Sequence, residues 1–138
     1  EGENNFEIFH KSNKIKMKYM NGVYLVPIYV NGVLMEFIFD TGASNISISA
    51  TEAIYLKKQG RLSQDDFIGS ANFSDATGSI STGTRIILRQ IQIGNKVLRN
   101  VEATVVHNLD APLLLGQSAL ARFGKISIDN RNHEITFE

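Results

Sequence analysis

Short runs of β-branched and aromatic residues, broken by Gly and Asn, run along most of the chain and predict an all-β protein with one or two short helices. Ile15–Tyr19 reads as one strand. Val23–Val30 (VYLVPIYV) follows it across Asn21-Gly22, a dipeptide that suits a tight hairpin because both residues tolerate positive φ. Asn31-Gly32 repeats the device before Val33–Phe39, so three strands lead into Asp40. Ile46–Ser49 predicts a further short strand, and Thr51–Lys58 (TEAIYLKK) a helix with its cap at Ser49 or Thr51 and a stop at Gly60. Arg61–Gly69 reads as an irregular connection. Ser79–Ile93 and Val101–Val106, separated by the turn Gly94-Asn95, predict two long strands of a meander. Leu113–Leu115 has the composition of a buried strand and Gly116–Phe123 (GQSALARF) that of a helix. Lys125–Ile128 and Ile135–Phe137 predict a closing hairpin around residues 129–132. The pattern contains no internal repeat, linker or low-complexity segment.

Composition narrows the picture. The chain has 138 residues, 43% of them hydrophobic and 20% charged, which fits one domain with a real core. Residues 1–14 read as an N-terminal extension and 15–138 as the domain. Fourteen Lys and Arg balance fourteen Asp and Glu, so no basic field exists to attract nucleic acid or an anionic membrane. The absence of Cys excludes disulfides and thiolate zinc sites but is compatible with any redox compartment. No apolar run approaches the roughly 18 residues that span a bilayer. The chain opens at Glu1 rather than Met, and a signal or anchor is expected upstream, giving a periplasmic, secreted or membrane-tethered protein.

The chemistry centres on FIFDTGASNISIS, residues 37–49, where an apolar strand delivers Asp40 directly to Thr41, Gly42 and Ala43. An Asp after a strand often does no more than bond the backbone amides of a turn. Here the Thr hydroxyl can lock the turn and the Gly lets backbone or ligand approach, an arrangement suited to a carboxylate held rigidly on the floor of a cleft. Hydrolysis of an amide needs one group to take a proton from water and another to give one to the carbonyl, which two carboxylates sharing a proton can do. The sequence holds one such motif, so the second carboxylate has to come from another chain.

Asp40-Thr41-Gly42-Ala43-Ser44, followed about seventy residues later by Leu114-Leu115-Gly116 and a predicted helix, resembles the retropepsin-like aspartic proteases, and most of all their single-domain bacterial and retroviral-type members. The resemblance covers roughly residues 15–138. It implies a small closed β-barrel, and a homodimer in which each copy gives one Asp to a shared site acting on an extended peptide. No metal or organic cofactor is implied. By the same resemblance Asp40 is the catalytic carboxylate, and Thr41 bonds across the two-fold axis. Gly42, Ser44 and Asn45 line the substrate, while Leu113–Gly116 and Gln117 pack beneath the catalytic loop. A flap is implied over Ser74, Asp75, Ala76, Thr77, Gly78 and Ser79, with one Gly at its tip in place of the Gly-rich retroviral flap.

Two departures from the retroviral pattern stand close to the motif. Where those enzymes carry an Asp and an Arg that brace the subunits, this chain has Ser44 and Gln117, which predicts a neutral hydrogen bond in place of an ion pair. The C-terminal hairpin is also longer than the single retroviral tail strand. Other constellations are weak. Gly116-Gln117-Ser118-Ala119-Leu120 is one residue short of a nucleophile elbow and reads as a core helix. His10, His107 and His133 are dispersed, which argues for surface or capping roles and against a metal site. Asp65-Asp66 reads as a solvated helix start. The sequons Asn45-Ile46-Ser47 and Asn72-Phe73-Ser74 are read as unmodified. The competing functional readings are a non-catalytic peptide-binding or dimerisation module on the same barrel, and an inactive monomer whose partner is a different protein.

Overall fold

The computed structural model describes residues 13–74 and 80–138. Its strands are β1 (Lys14–Lys16), β2 (Lys18–Met20), β3 (Val23–Val30), β4 (Val33–Phe39), β5 (Ile46–Ser49), β6 (Phe67–Ser74), β7 (Ile80–Ile93), β8 (Lys96–Val106), β9 (Leu114–Leu115), β10 (Ile126–Asp129) and β11 (Glu134–Phe137). Among the described residues two α-helices, α1 (Ala50–Lys58) and α2 (Gln117–Leu120), interrupt them, and α2 runs on into a 3₁₀ turn over Ala121–Phe123.

The larger sheet orders its strands β2-β3-β4-β9-β5-β8-β7-β6, and a second pairing, Tyr29 with Gln92 and Val30 with Ile91, joins β3 back to β7. Alternation explains the core. Val26, Ile28 and Val30 point inward from β3 and Met35 and Phe37 from β4, where they meet Ile86, Leu88, Ile91 and Ile93 of β7. Both Asn-Gly turns have positive φ at both residues, 52° and 82° at Asn21 and Gly22 and 47° and 85° at Asn31 and Gly32, matching the twist of the strands that they join. Asn31 does more than turn the chain. Its side-chain amide donates to the Arg61 carbonyl at 2.7 Å and its Oδ1 accepts from the Gln90 amide at 3.0 Å, pinning the segment after α1 against β7.

The smaller sheet, β1-β11-β10, brings residues 14–16 beside the C-terminal hairpin. Here the expected single strand over Ile15–Tyr19 is corrected. The chain changes sheets at Met17, which is buried and whose amide donates to the His133 carbonyl at 2.7 Å. His133 takes a positive φ of 55° and is half-buried, with its ring edge-on to Tyr19 and Tyr24 at centroid separations of 5.5 and 5.6 Å, so it is neither a simple surface residue nor a cap.

Of the two caps that the sequence offers, the structure uses Ser49, whose hydroxyl accepts from the Glu52 amide and is bonded to the Glu52 carboxylate. Two further expectations are corrected. Residues 61–69 are more ordered than a loop, because Gln64–Asp66 form a 3₁₀ turn and β6 starts at Phe67. Asp66 is not solvated. It is 5% exposed and accepts from the Ser63 amide at 2.9 Å and from Arg89 Nε at 2.9 Å. Burial pushes the Asp66 carboxyl upward, but the Ser63 amide and Arg89 outweigh it and hold the group below its ordinary value.

Candidate active site

Asp40 follows β4 directly and is fixed through its main chain. β9 lies parallel to β4 with Ile38 opposite Leu114 and Phe39 opposite Leu115. The Ile38 amide donates to the Leu113 carbonyl at 2.8 Å and the Asp40 amide to the Leu115 carbonyl at 3.1 Å. On the far side of β9, Ser47 of β5 faces Leu114, so β9 fills the gap between the strands before and after the Asp40 loop. This two-residue strand is anchored by its own Leu115, which is fully buried.

The loop itself closes on two bonds. The Ala43 amide donates to the Asp40 carbonyl at 3.2 Å, and the Gly42 amide donates to Asp40 Oδ1 at 2.9 Å. The second bond holds one carboxylate oxygen and leaves Oδ2 with no protein donor among the described residues. Asp40 is half-buried, whereas Thr41 and Gly42 are exposed. Past the loop, the amides of Gln117 and Ser118 donate at 2.8 Å to the carbonyls of Ala43 and Ser44. Within one copy, the segments carrying Ser44 and Gln117 are thus joined through their main chains.

Sequence reasoning missed why a glycine stands at 116. A Cβ built there would lie 2.2 Å from the Asn45 carbonyl oxygen and 2.9 Å from that of Ala43, distances that no side chain tolerates. The Leu-Leu-Gly signal marked the place, but the close approach becomes visible only once β9 and the loop are folded together. An open groove of about 290 Å³ adjoins the loop, lined by Phe39, Thr41 and Gln117 on one side and Ile126 and Ile128 of β10 on the other.

Of the remaining sequence candidates, Asn45 is exposed beside the loop and Ser118 is exposed on α2 with no histidine bonded to it among the described residues. Ser74 ends β6 and is paired with Ile80, so β6 and β7 form a hairpin whose tip, residues 75–79, lies outside the described residues. His107 Nε2 is 2.7 Å from Thr84 Oγ1, and His10 lies outside the described residues. Among the described residues no group of three His, Cys, Asp or Glu is placed to hold a metal ion, and no helix is long and apolar enough to cross a membrane.

A family described as "gag-polyprotein putative aspartyl protease" matches residues 26–122, a span that includes Asp40, β9 and α2. Among solved structures, a retropepsin-like aspartic protease from Rickettsia conorii is similar at 28% identity and a TM-score of 0.62, over 88% of this chain and 94% of that one. No curated protein sequence matches. With the Asp-Thr-Gly loop clamped by a Leu-Leu-Gly strand and the family match running through both, the chain belongs to the gag-type aspartyl protease family and has the retropepsin-like fold.

Proposed function

We propose that the protein is an aspartic endopeptidase that works as a homodimer, with Asp40 of each copy forming the catalytic pair. The observation that carries this reading is the fixing of Asp40, with its main chain bonded to β9 and one carboxylate oxygen held by the Gly42 amide. A single rigid carboxylate per chain is half of the required apparatus, and a two-fold axis beside the loop supplies the rest. The pairing of β3 with β7 supports a closed barrel, the rigid wall that such a site needs.

In the reaction one Asp40 takes a proton from water as the oxygen attacks the scissile carbonyl carbon, while the proton shared by the pair passes to the carbonyl oxygen. The tetrahedral diol collapses when a proton returns to the amide nitrogen and the C–N bond breaks. Thr41 bonds across the dimer, and Gly42, Ser44 and Asn45 line the extended peptide. Leu114–Gln117 support the loop from below, while the flap expected over Ser74–Ser79 falls almost entirely on residues outside the described ones. Ala43 completes the turn. The test is incubation with an unstructured protein substrate, with and without a statine-type inhibitor. Inhibitor-sensitive cleavage supports the reading, and intact substrate after prolonged incubation at micromolar enzyme overturns it.

A further inference from the structure

Lysine and arginine are absent from the two stretches that build the floor and its flanks. Neither Lys nor Arg occurs between Lys18 and Lys57 or between Arg99 and Arg122, where the one basic side chain is His107, although the molecule as a whole is neutral. Those stretches carry five carboxylates: Glu36, Asp40, Glu52, Glu102 and Asp110. Three are engaged. Glu36 pairs with Lys18, Glu102 with Arg85, and Glu52 closes the cap on Ser49. Asp40 and Asp110 are left with no cation within ion-pair distance among the described residues, and Asp110 is exposed.

Asp110 stands on a loop that leads directly into the site. It lies three residues before Leu113, whose carbonyl accepts from Ile38, and Ile38 lies two residues before Asp40. Three residues of chain reach at most about 10 Å and two about 7 Å, which puts Asp110 within roughly 20 Å of Asp40. An extended peptide covers about 3.3 Å per residue, so that distance falls within the first several residues on one side of a scissile bond. The loop is itself held in shape. The Asp110 amide donates to Asn108 Oδ1 at 2.9 Å, and Thr51 Oγ1 ties the Leu109 carbonyl to α1 at 3.0 Å.

We infer that Asp110 is a specificity-determining residue that makes the cleft favour peptides with Lys or Arg flanking the scissile bond and disfavour those with Asp or Glu there. The inference rests on the proposed peptidase reading. A bound Lys or Arg meets a carboxylate that has no ion-pair partner among the described residues, whereas a bound Asp or Glu meets like charge there. In a two-fold dimer the second Asp110 stands on the opposite flank, so both sides of the substrate are read.

The test uses peptides with one apolar scissile pair, differing only in Lys, Gln or Glu two to four residues away. Wild-type protein is expected to show a kcat/KM for the best Lys peptide about five- to tenfold above its Glu counterpart, carried by KM and shrinking as salt is raised to about 0.5 M. Asp110→Asn is expected to bring the ratio below about twofold, and Asp110→Glu to restore it. Equal rates for the Lys and Glu peptides, or a ratio unmoved in Asp110→Asn, overturn the inference while leaving the peptidase reading intact. Fluorescence anisotropy of labelled peptides on Asp40→Asn protein separates the two claims. Charge-selective binding without cleavage by wild type supports the inference and sinks the peptidase reading, and neither binding nor cleavage overturns both.

Discussion

Arg89 Nε lies 2.9 Å from Asp66 Oδ1, an ion pair with one exposed and one buried partner that fixes the start of β6 to the middle of β7. Its guanidinium also reaches Ser63 Oγ at 3.4 Å, so three residues share one junction. The Asp66 carboxyl titrates below its ordinary 3.8 when folded, so its contribution is present above about pH 4 and is lost as pH falls through the folded value. Urea midpoints of wild type are expected to drop across that acid range, with a flatter acid limb in Asp66→Asn. At neutral pH the substitution is expected to cost about 1–3 kcal/mol, because a buried charge-assisted acceptor is weakened. Parallel pH dependence in the two proteins would show that the junction does not contribute.

Gly116→Ala tests the clamp on the catalytic loop. The added methyl meets main-chain oxygen, which cannot rotate away, so either β9 or residues 43–45 must move. The expected cost is at least about 2 kcal/mol in stability, with a fall in activity exceeding that fraction unfolded. Thermal unfolding with activity measured well below the midpoint separates the two effects. Wild-type values for both would mean that the approach of Asn45 to Gly116 is looser than described.

Asp40→Asn is expected to abolish cleavage while leaving the melting temperature within a few degrees of wild type. An amide cannot exchange the proton that the reaction requires, and it can still accept from the Gly42 amide. Residual turnover above about one part in a thousand in a protein free of wild-type contamination would place the chemistry elsewhere.

If each copy supplies half of the site, specific activity falls on dilution as dimers dissociate, with a midpoint that follows the sedimentation equilibrium. Thr41→Ala is expected to move that midpoint to higher concentration by roughly thirtyfold, equivalent to about 2 kcal/mol for two symmetry-related hydrogen bonds. Full activity from a sedimenting monomer would contradict the shared site.

The patterns that were legible in sequence were local ones. Alternation in β3 and β4, the two Asn-Gly turns and the Asp-Thr-Gly run each express a rule that neighbouring residues obey. What could not be read depended on residues far apart. Ile15 and Met17 are buried in unbroken alternation, so nothing in the pattern reveals that the chain leaves one sheet and enters another between Lys16 and Lys18. Two adjacent aspartates look solvated until Arg89, 23 residues on, arrives to neutralise one of them. Ser49 ends a strand and caps a helix in the same position, which composition alone assigns to Thr51 equally well. At Gly116 the constraint comes from a carbonyl 71 positions away in the chain.

Ser49→Ala examines that dual position. Losing the cap on α1 is expected to destabilise the protein by about 1 kcal/mol, read as a shift of a few degrees in melting temperature. No shift would indicate that Glu52 and solvent satisfy the helix start unaided.

The hydrogen bonds from the Phe137 amide to the Asn13 carbonyl, at 3.0 Å, and from the Asn13 side chain to the Phe137 carbonyl, at 3.1 Å, bring the described residues 13–138 nearly into a ring. A permuted chain that joins residue 138 to residue 13 by a short loop, opens at the Gly94-Asn95 turn and omits residues 1–12 would keep every strand pairing among the described residues. The same adjacency means that attachments at residue 13 and at residue 138 issue from one corner of the body. A surface, an affinity matrix or a second domain tethered there would hold the protein in one orientation whichever of the two residues was used.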